Sequence, residues 1–224
     1  MTSDPNIAGV ELVAHALGAL MDDLVLVGGC AVGLLLTDPG HPPVRATGDV
    51  DLLTEVTPRT EYYVFCERLK ERGFRECDEV ICRWRLGDLK VDVMPTDEGI
   101  LNFSNTWYTE AARTAQHQAL PSGRTIRVIS APLFIATKLE SFRSRGRGDY
   151  MHHDLEDIIA VLDGRPGIVE EVQAASPEVQ AFLEDEFEAL FLDPIFDDRL
   201  LWLLGGEKAR KPVVLGRIRQ ISGL

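Results

Sequence analysis

The chain lacks the pieces on which several large functional classes depend. Nothing in its 224 residues approaches the roughly 20 uncharged apolar positions of a membrane-spanning helix. The opening stretch, MTSDPNIAGVELVAH, has no basic segment followed by an apolar one, so no secretory leader is expected. Cys30, Cys66, Cys77 and Cys82 contain no Cys-x-x-Cys pair, which argues against a zinc site and a disulfide framework and predicts reduced thiols. There is no internal repeat and no low-complexity segment. A soluble, cytoplasmic protein with no membrane partner is expected. Positive charge is also scarce: the formal net charge is -13, which excludes a protein that coats nucleic acid with its whole surface, because such binding rests on Lys and Arg neutralising phosphates.

That deficit is uneven. Between Arg124 and Arg147 only Glu140 opposes the basic residues Arg124, Arg127, Lys138, Arg143, Arg145 and Arg147, whereas Glu170 to Asp198 is acidic without a single base. After Gly206 the chain turns basic again with Lys208, Arg210, Lys211, Arg217 and Arg219. A local phosphate site on an acidic body is compatible with this pattern. A hydrophobic fraction of 45% supports one sizeable core, or a medium core with a helical annex.

Periodicity predicts a helix over about Pro5–Met21, a buried strand at Leu24–Gly29, and a short helix running on from the glycines through AVGLLL. Asp38–Gly48, rich in Pro and Gly, reads as loop. DVDLL is a strand, Arg59–Arg72 a helix ended by Gly73, and VICRWRL and LKVDVMP the arms of a hairpin around Gly87-Asp88. A second pair of short strands is expected around Thr114–Leu120 and Thr125–Val128. Beyond Ser130 the pattern is helical: one helix to about Arg145, a glycine-arginine break, another over about Tyr150–Leu162, and more to about Leu204. The expected class is α+β, with a mixed sheet in residues 1–130 and a helical region over 131–224.

Asp49 and Asp51 stand two apart in a strand and so point to the same face. Two carboxylates side by side repel unless a cation lies between them, and magnesium prefers such hard oxygen donors. Asp92, between Val91 and Val93, supplies a third carboxylate; were its strand to neighbour the first, the three would converge on one or two ions. Incidental acids at a solvated strand end are the competing explanation. Gly28 and Gly29 close a strand and open a helix, where backbone N–H groups can hold phosphate; glycine often serves such a turn merely for its freedom.

In this order, VGG, helix, loop, DVD and a later lone Asp resemble the nucleotidyltransferase superfamily with a polymerase-beta-like core, over about Leu24–Pro95. The resemblance implies that Gly28 and Gly29 cradle a nucleoside triphosphate and that Asp49, Asp51 and Asp92 bind Mg2+ as catalytic residues. The family commonly has Ser or Thr after the second glycine; here Cys30 stands there, leaving phosphate contact to backbone N–H groups. RATGDVDLL is similar to the Arg-x-Thr-x-Asp-x-Asp form of AbiEii-type toxins, which implies the toxin of a toxin-antitoxin pair, with an antitoxin partner. The acceptor stays open among transfer RNA, protein and a small molecule such as an aminoglycoside. A non-catalytic nucleotide- or partner-binding protein of the same fold is the alternative.

Lys138 interrupts an apolar stripe between Ile135 and Phe142 and therefore invites a partner for its charge. The AbiEii resemblance implies a lysine that holds triphosphate; a stem packed on the core with its ammonium in water is the plainer reading. If phosphate is its partner, methionine at 138 should not weaken the fold. Arg143, Arg145 and Arg147 would join the same anion site. In the next helix Leu155, Ile158, Ile159 and Leu162 form the buried stripe and leave Asp154 and Asp157 off it. HDLEDII resembles the Asp-x-x-Asp element of the same group, and Asp154 would orient Lys138 or an acceptor. His152 and His153 suggest a metal-dependent phosphohydrolase only with a further His and Asp in register, which His15, His41 and His117 do not supply. As helix neighbours facing different sides, they are not expected to chelate one ion.

Overall fold

The computed structural model describes residues 4–55, 59–78, 80–101, 104–146 and 148–224. It divides into two compact units, one running through residue 34 and resuming over Pro43–Ser130, the other comprising Leu35–Pro42 and Ala131–Leu224.

The first unit is built on a seven-stranded mixed sheet: β1 Leu24–Val27, β2 Asp49–Thr54, β3 Arg75–Glu76, β4 Arg83–Leu86, β5 Leu89–Pro95, β6 Gln116–Ala119 and β7 Thr125–Val128, in the order β3-β4-β5-β2-β1-β7-β6. β1 is buried at every position, as an uninterrupted Leu-Val-Leu-Val run requires of a central strand. It pairs antiparallel with β2 and parallel with β7, while β2 and β5 run parallel. β2 alternates: Val50 and Leu52 are buried and Asp49 and Asp51 are half-buried. Helix α1, Ile7–Leu17, buries Val10, Val13, Ala14 and Leu17, the one-sided spacing of a helix laid on a sheet. It stops where Gly18 takes a φ of 55°, and a tighter helical turn continues through Asp23. This part of the chain also holds a helical turn over Gly29–Ala31 and the helices α2, Val32–Leu35, α3, Arg59–Glu71, α4, Glu98–Leu101, and α5, Tyr108–Arg113.

The second unit comprises α6 Ala131–Ser141, α7 His153–Gly164, α8 Ile168–Gln173, α9 Pro177–Leu192, α10 Pro194–Leu203 and α11 Lys211–Ser222. α6 is buried on nearly every side and packs with α7, α8 and α9. After Ser141 the backbone widens into a π turn over Phe142–Gly146; a Cβ at Gly146 would fall 2.5 Å from the Phe142 ring, so that turn needs its glycine. Residues 35–42 belong to this unit because Thr37 and Asp38 both donate their N–H groups to the Gly164 carbonyl at 2.9 Å, capping the end of α7. Arg210 adds bonds to Asp163 at 2.7 Å and to the Gly40 carbonyl at 2.9 Å.

Two boundaries and one added helix depart from the sequence expectation for visible reasons. β4 begins at Arg83 rather than Val80, because Arg83 N–H turns back onto the Val80 carbonyl at 2.9 Å. α7 begins at His153 rather than Tyr150, because His152 is extended and its ring accepts the Asp154 N–H as a cap. α11, unforeseen, buries Val214, Ile218 and Ile221 behind a first-turn proline and ends at left-handed Gly223.

Candidate active site

The parallel register sets Asp51 beside Asp92, and the antiparallel register on the other side sets Asp51 beside Val27, the residue before the glycine turn. Asp49, Asp51 and Asp92 each offer a carboxylate oxygen within 4.8 Å of the others. The sheet thus brings the three acids together on the face where β1 ends.

The turn is fitted to them. Gly28 has a φ of 64°, and a Cβ there would lie 1.8 Å from Asp51 Oδ2, so only glycine lets the carboxylate rest against the backbone. A Cβ at Gly29 would press on Thr47 Oγ1 and Arg45 Nη2, each 3.2 Å away. Thr47 Oγ1 donates to Asp49 Oδ1 at 3.2 Å. Buried Asn6 holds the strand's approach from both sides, donating to the Arg45 carbonyl and accepting the Thr47 N–H, each at 2.9 Å.

Cys30 does not stand free at this turn. Its buried thiol donates to the Asp49 carbonyl at 3.2 Å, and burial, with Asp51, Asp4 and Asp49 nearby, pushes it up to about 12. A neutral thiol is therefore bonded to the backbone of the acid strand, the geometry of a structural group.

Arg83, which the sequence analysis did not single out, completes the cluster. From the register position opposite Asp92, its Nε and Nη2 grip Asp92 Oδ1 and Oδ2 at 2.7 Å each, and Nη2 reaches Asp49 Oδ2 at 3.2 Å. Hydrogen bonding to Asp92 is the main reason its guanidinium is held charged. Counting back from the two-residue Gly87-Asp88 turn places Arg83 opposite Asp92, so this signal was available.

The donor set suits a hard divalent cation: three carboxylates converge, and the guanidinium among them shows that the cluster takes up positive charge.

No protein-family profile and no curated protein matches the sequence. Solved structures do match the fold. An antigenic nucleotidyltransferase-like protein from Paracoccidioides brasiliensis is 22% identical, with 89% of this chain and 94% of that one covered and a TM-score of 0.55. The antibiotic-resistance factor ANT(2'')-Ia, in its solution structure, is 18% identical, with 83% of this chain and 96% of that one covered and a TM-score of 0.50. The chain has a nucleotidyltransferase-like fold.

In the helical unit of this chain a second charged cluster forms around α7. Lys138 is 7% exposed, and its Nζ donates to Asp154 Oδ1 at 2.9 Å and Asp157 Oδ2 at 2.8 Å. Burial works against its charge, but the two aspartates outweigh it and the ammonium is held protonated. Asp154 and Asp157, expected off the buried stripe, are in fact buried; a cationic partner makes that tolerable. Arg145, placed by the π turn, adds a bidentate pair to Asp154 at 2.8 and 2.9 Å. Burial pushes the Asp154 carboxyl up, yet Arg145 and Lys138 hold it down at about 2. Arg143 instead pairs with Glu186 at 2.6 Å, and Arg147 lies outside the described residues.

The expectation that His152 and His153 face apart is corrected. His152 caps the helix rather than belonging to it, the rings lie 4.1 Å apart between centroids, and each offers a nitrogen within 4.8 Å of an Asp154 oxygen. Both Asp154 oxygens already accept from Lys138 or Arg145, and His152 Nδ1 accepts the Asp154 N–H, so this is poor ground for a cation. Among the described residues no helix is long and apolar enough to cross a membrane.

Proposed function

We propose that this chain is a magnesium-dependent nucleotidyltransferase that moves a nucleotide from a nucleoside triphosphate to an acceptor hydroxyl, with residues 1–130 as its catalytic part. The observation that carries the reading is the convergence of Asp49, Asp51 and Asp92 within 4.8 Å beside a glycine turn that Asp51 itself fills. Asp49, Asp51 and Asp92 would hold the ion, which supplies charge to bind the triphosphate and to stabilise its transition state. Backbone N–H groups at Gly28, Gly29 and Cys30 orient the phosphates. A carboxylate oxygen of Asp92 takes the proton of the acceptor hydroxyl; the new oxygen–phosphorus bond forms at the α-phosphate as the bond to pyrophosphate breaks.

Lys138 and Asp154 enter this reading as structure: the ammonium is committed to two carboxylates and joins α6 to α7. The acceptor is drawn from RNA, protein and small molecules. Fold similarity to an antibiotic-resistance factor favours testing small molecules first, and the Arg-x-Thr-x-Asp-x-Asp resemblance favours testing transfer RNA in a toxin-antitoxin setting.

A non-catalytic protein of this fold is the second reading, favoured by one observation: Arg83 already neutralises much of the acid cluster. The test is incubation of the protein with magnesium and each labelled nucleoside triphosphate, with transfer RNA, whole-cell protein or an aminoglycoside as acceptor. Label transfer that chelator and Asp51→Asn both abolish supports the enzyme. Absence of transfer to every acceptor supports the second reading, as a nucleotide-binding protein if nucleotide still binds in magnesium and as a partner-binding one if it does not.

A further inference from the structure

Three carboxylates within 4.8 Å repel strongly in a partly buried setting, and the structure answers with a guanidinium rather than leaving them apart. Arg83 occupies both oxygens of Asp92 and one of Asp49, within the cluster where a divalent ion would sit. Ion and guanidinium cannot both keep their best positions: two cations at these distances repel, and the bidentate grip uses the side of Asp92 that faces the cluster. Arg83 also borders a cavity of about 440 Å³ with Tyr62, Glu76 and Trp84, which leaves space beside its present position.

Building on the metal reading above, we infer that Arg83 is an exchangeable counter-ion, which holds the three carboxylates together until a divalent ion displaces it and then turns its freed guanidinium to the triphosphate. A planar fork of N–H donors suits phosphate oxygens, and with the ion in place phosphate is the anion newly brought beside it. This couples the two ligands: the ion must dislodge a cation, and the dislodged cation then strengthens triphosphate binding. Arg83 acts here as a positioning residue for the carboxylates and as a contact for the phosphates.

The exchange predicts opposite signs for one substitution, a pattern that simple damage to the fold does not produce. Binding of Mn2+ alone is read by electron paramagnetic resonance, and binding of inorganic tripolyphosphate in saturating Mn2+ by calorimetry, for the parent, Arg83→Met and Arg83→Gln. Arg83→Gln repeats the measurement with a polar side chain should the methionine variant fold poorly. The expected result is Mn2+ binding about tenfold tighter in the variants and tripolyphosphate binding about tenfold weaker. If the parent binds Mn2+ and both variants bind it no more tightly, or if tripolyphosphate affinity is unchanged, the exchange is overturned while the metal site stands. If parent and variants alike fail to bind Mn2+, both fall together.

Discussion

Replacing Lys138 with methionine tests whether its ammonium holds the helical unit together. Methionine matches the lysine stem in length and apolar character, so what the change removes is the charge and two hydrogen bonds, to Asp154 at 2.9 Å and to Asp157 at 2.8 Å. Those acids are 0% and 3% exposed and cannot turn to water for replacement. Breaking a buried pair by deleting one partner costs about 3–5 kcal/mol. Asp154 keeps its bidentate Arg145, so the loss should fall near the lower end, about 3 kcal/mol. In a chain of this size each kcal/mol moves the melting temperature by about 2–4 °C, giving a drop of roughly 6–12 °C by calorimetry. This reverses the sequence-based expectation that methionine at 138 would not weaken the fold. Adding Asp157→Asn removes the stranded charge while keeping the shape, and should restore more than half of the loss. The double-mutant cycle then gives a coupling of at least about 1.5 kcal/mol between the two sites. A Lys138→Met protein melting within a degree or two of the parent would refute the reasoning, since its ammonium would then contribute nothing that methionine does not.

Three further outcomes follow from the same contacts. Asp154 is held at about 2 against an ordinary 3.8 once Arg145 and Lys138 have overcome burial, so its contribution to stability is complete above about pH 4 and is lost as pH falls towards 2; the melting gap between the parent and Asp154→Asn should close over that window. If the three acids hold a divalent ion as proposed, Gly28→Ala should abolish Mn2+ binding, because its Cβ would displace the Asp51 carboxylate. Gly123→Ala, also at positive φ but with nothing within 4 Å, should lose about 1–2 kcal/mol of stability and keep the ion site. Asn6→Ala should cost about 1–3 kcal/mol in urea unfolding, since it leaves the Arg45 carbonyl and Thr47 N–H without their amide partner.

Much of the fold was legible because its signals are local. The all-apolar run before Gly28-Gly29, the alternation through Asp-Val-Asp and the two-residue turn at Gly87-Asp88 each specify an element within a few residues, and all three elements are found. The mixed sheet ahead of a helical region is likewise as expected. What local pattern could not give was β3, two residues long, or α4, a single turn, neither of which completes a period. α11 lies beyond the helical pattern, which was followed only to about Leu204; its Pro212 sits in the first turn, where proline is tolerated, and Gly216 leaves the Val214–Ile218–Ile221 stripe intact.

The charged residues divide along the same line. Asp49 and Asp51 announce themselves because a strand fixes which face two positions share, and Asp92 because an acid between valines is out of place. Lys138 announced that it needed a partner, and the toxin-like resemblance offered Asp154 to orient it, but neither showed that Asp154 and Asp157 would both be buried against it. Its partners lie 16 and 19 residues away on another helix, at positions that a one-sided helix pattern assigns to solvent. A helix covered on more than one side can place acids off its apolar stripe and still bury them, provided that a cation comes with them. Asp154 and Asp157 are therefore explained only jointly with Lys138 and with the π turn that delivers Arg145. The same holds for Arg83, whose meaning comes from Asp92 across the hairpin and from Asp49 one strand further on. In both clusters the sequence names one sign of charge and the fold supplies the other, so pairing, rather than composition, decides which charges are free to meet a ligand.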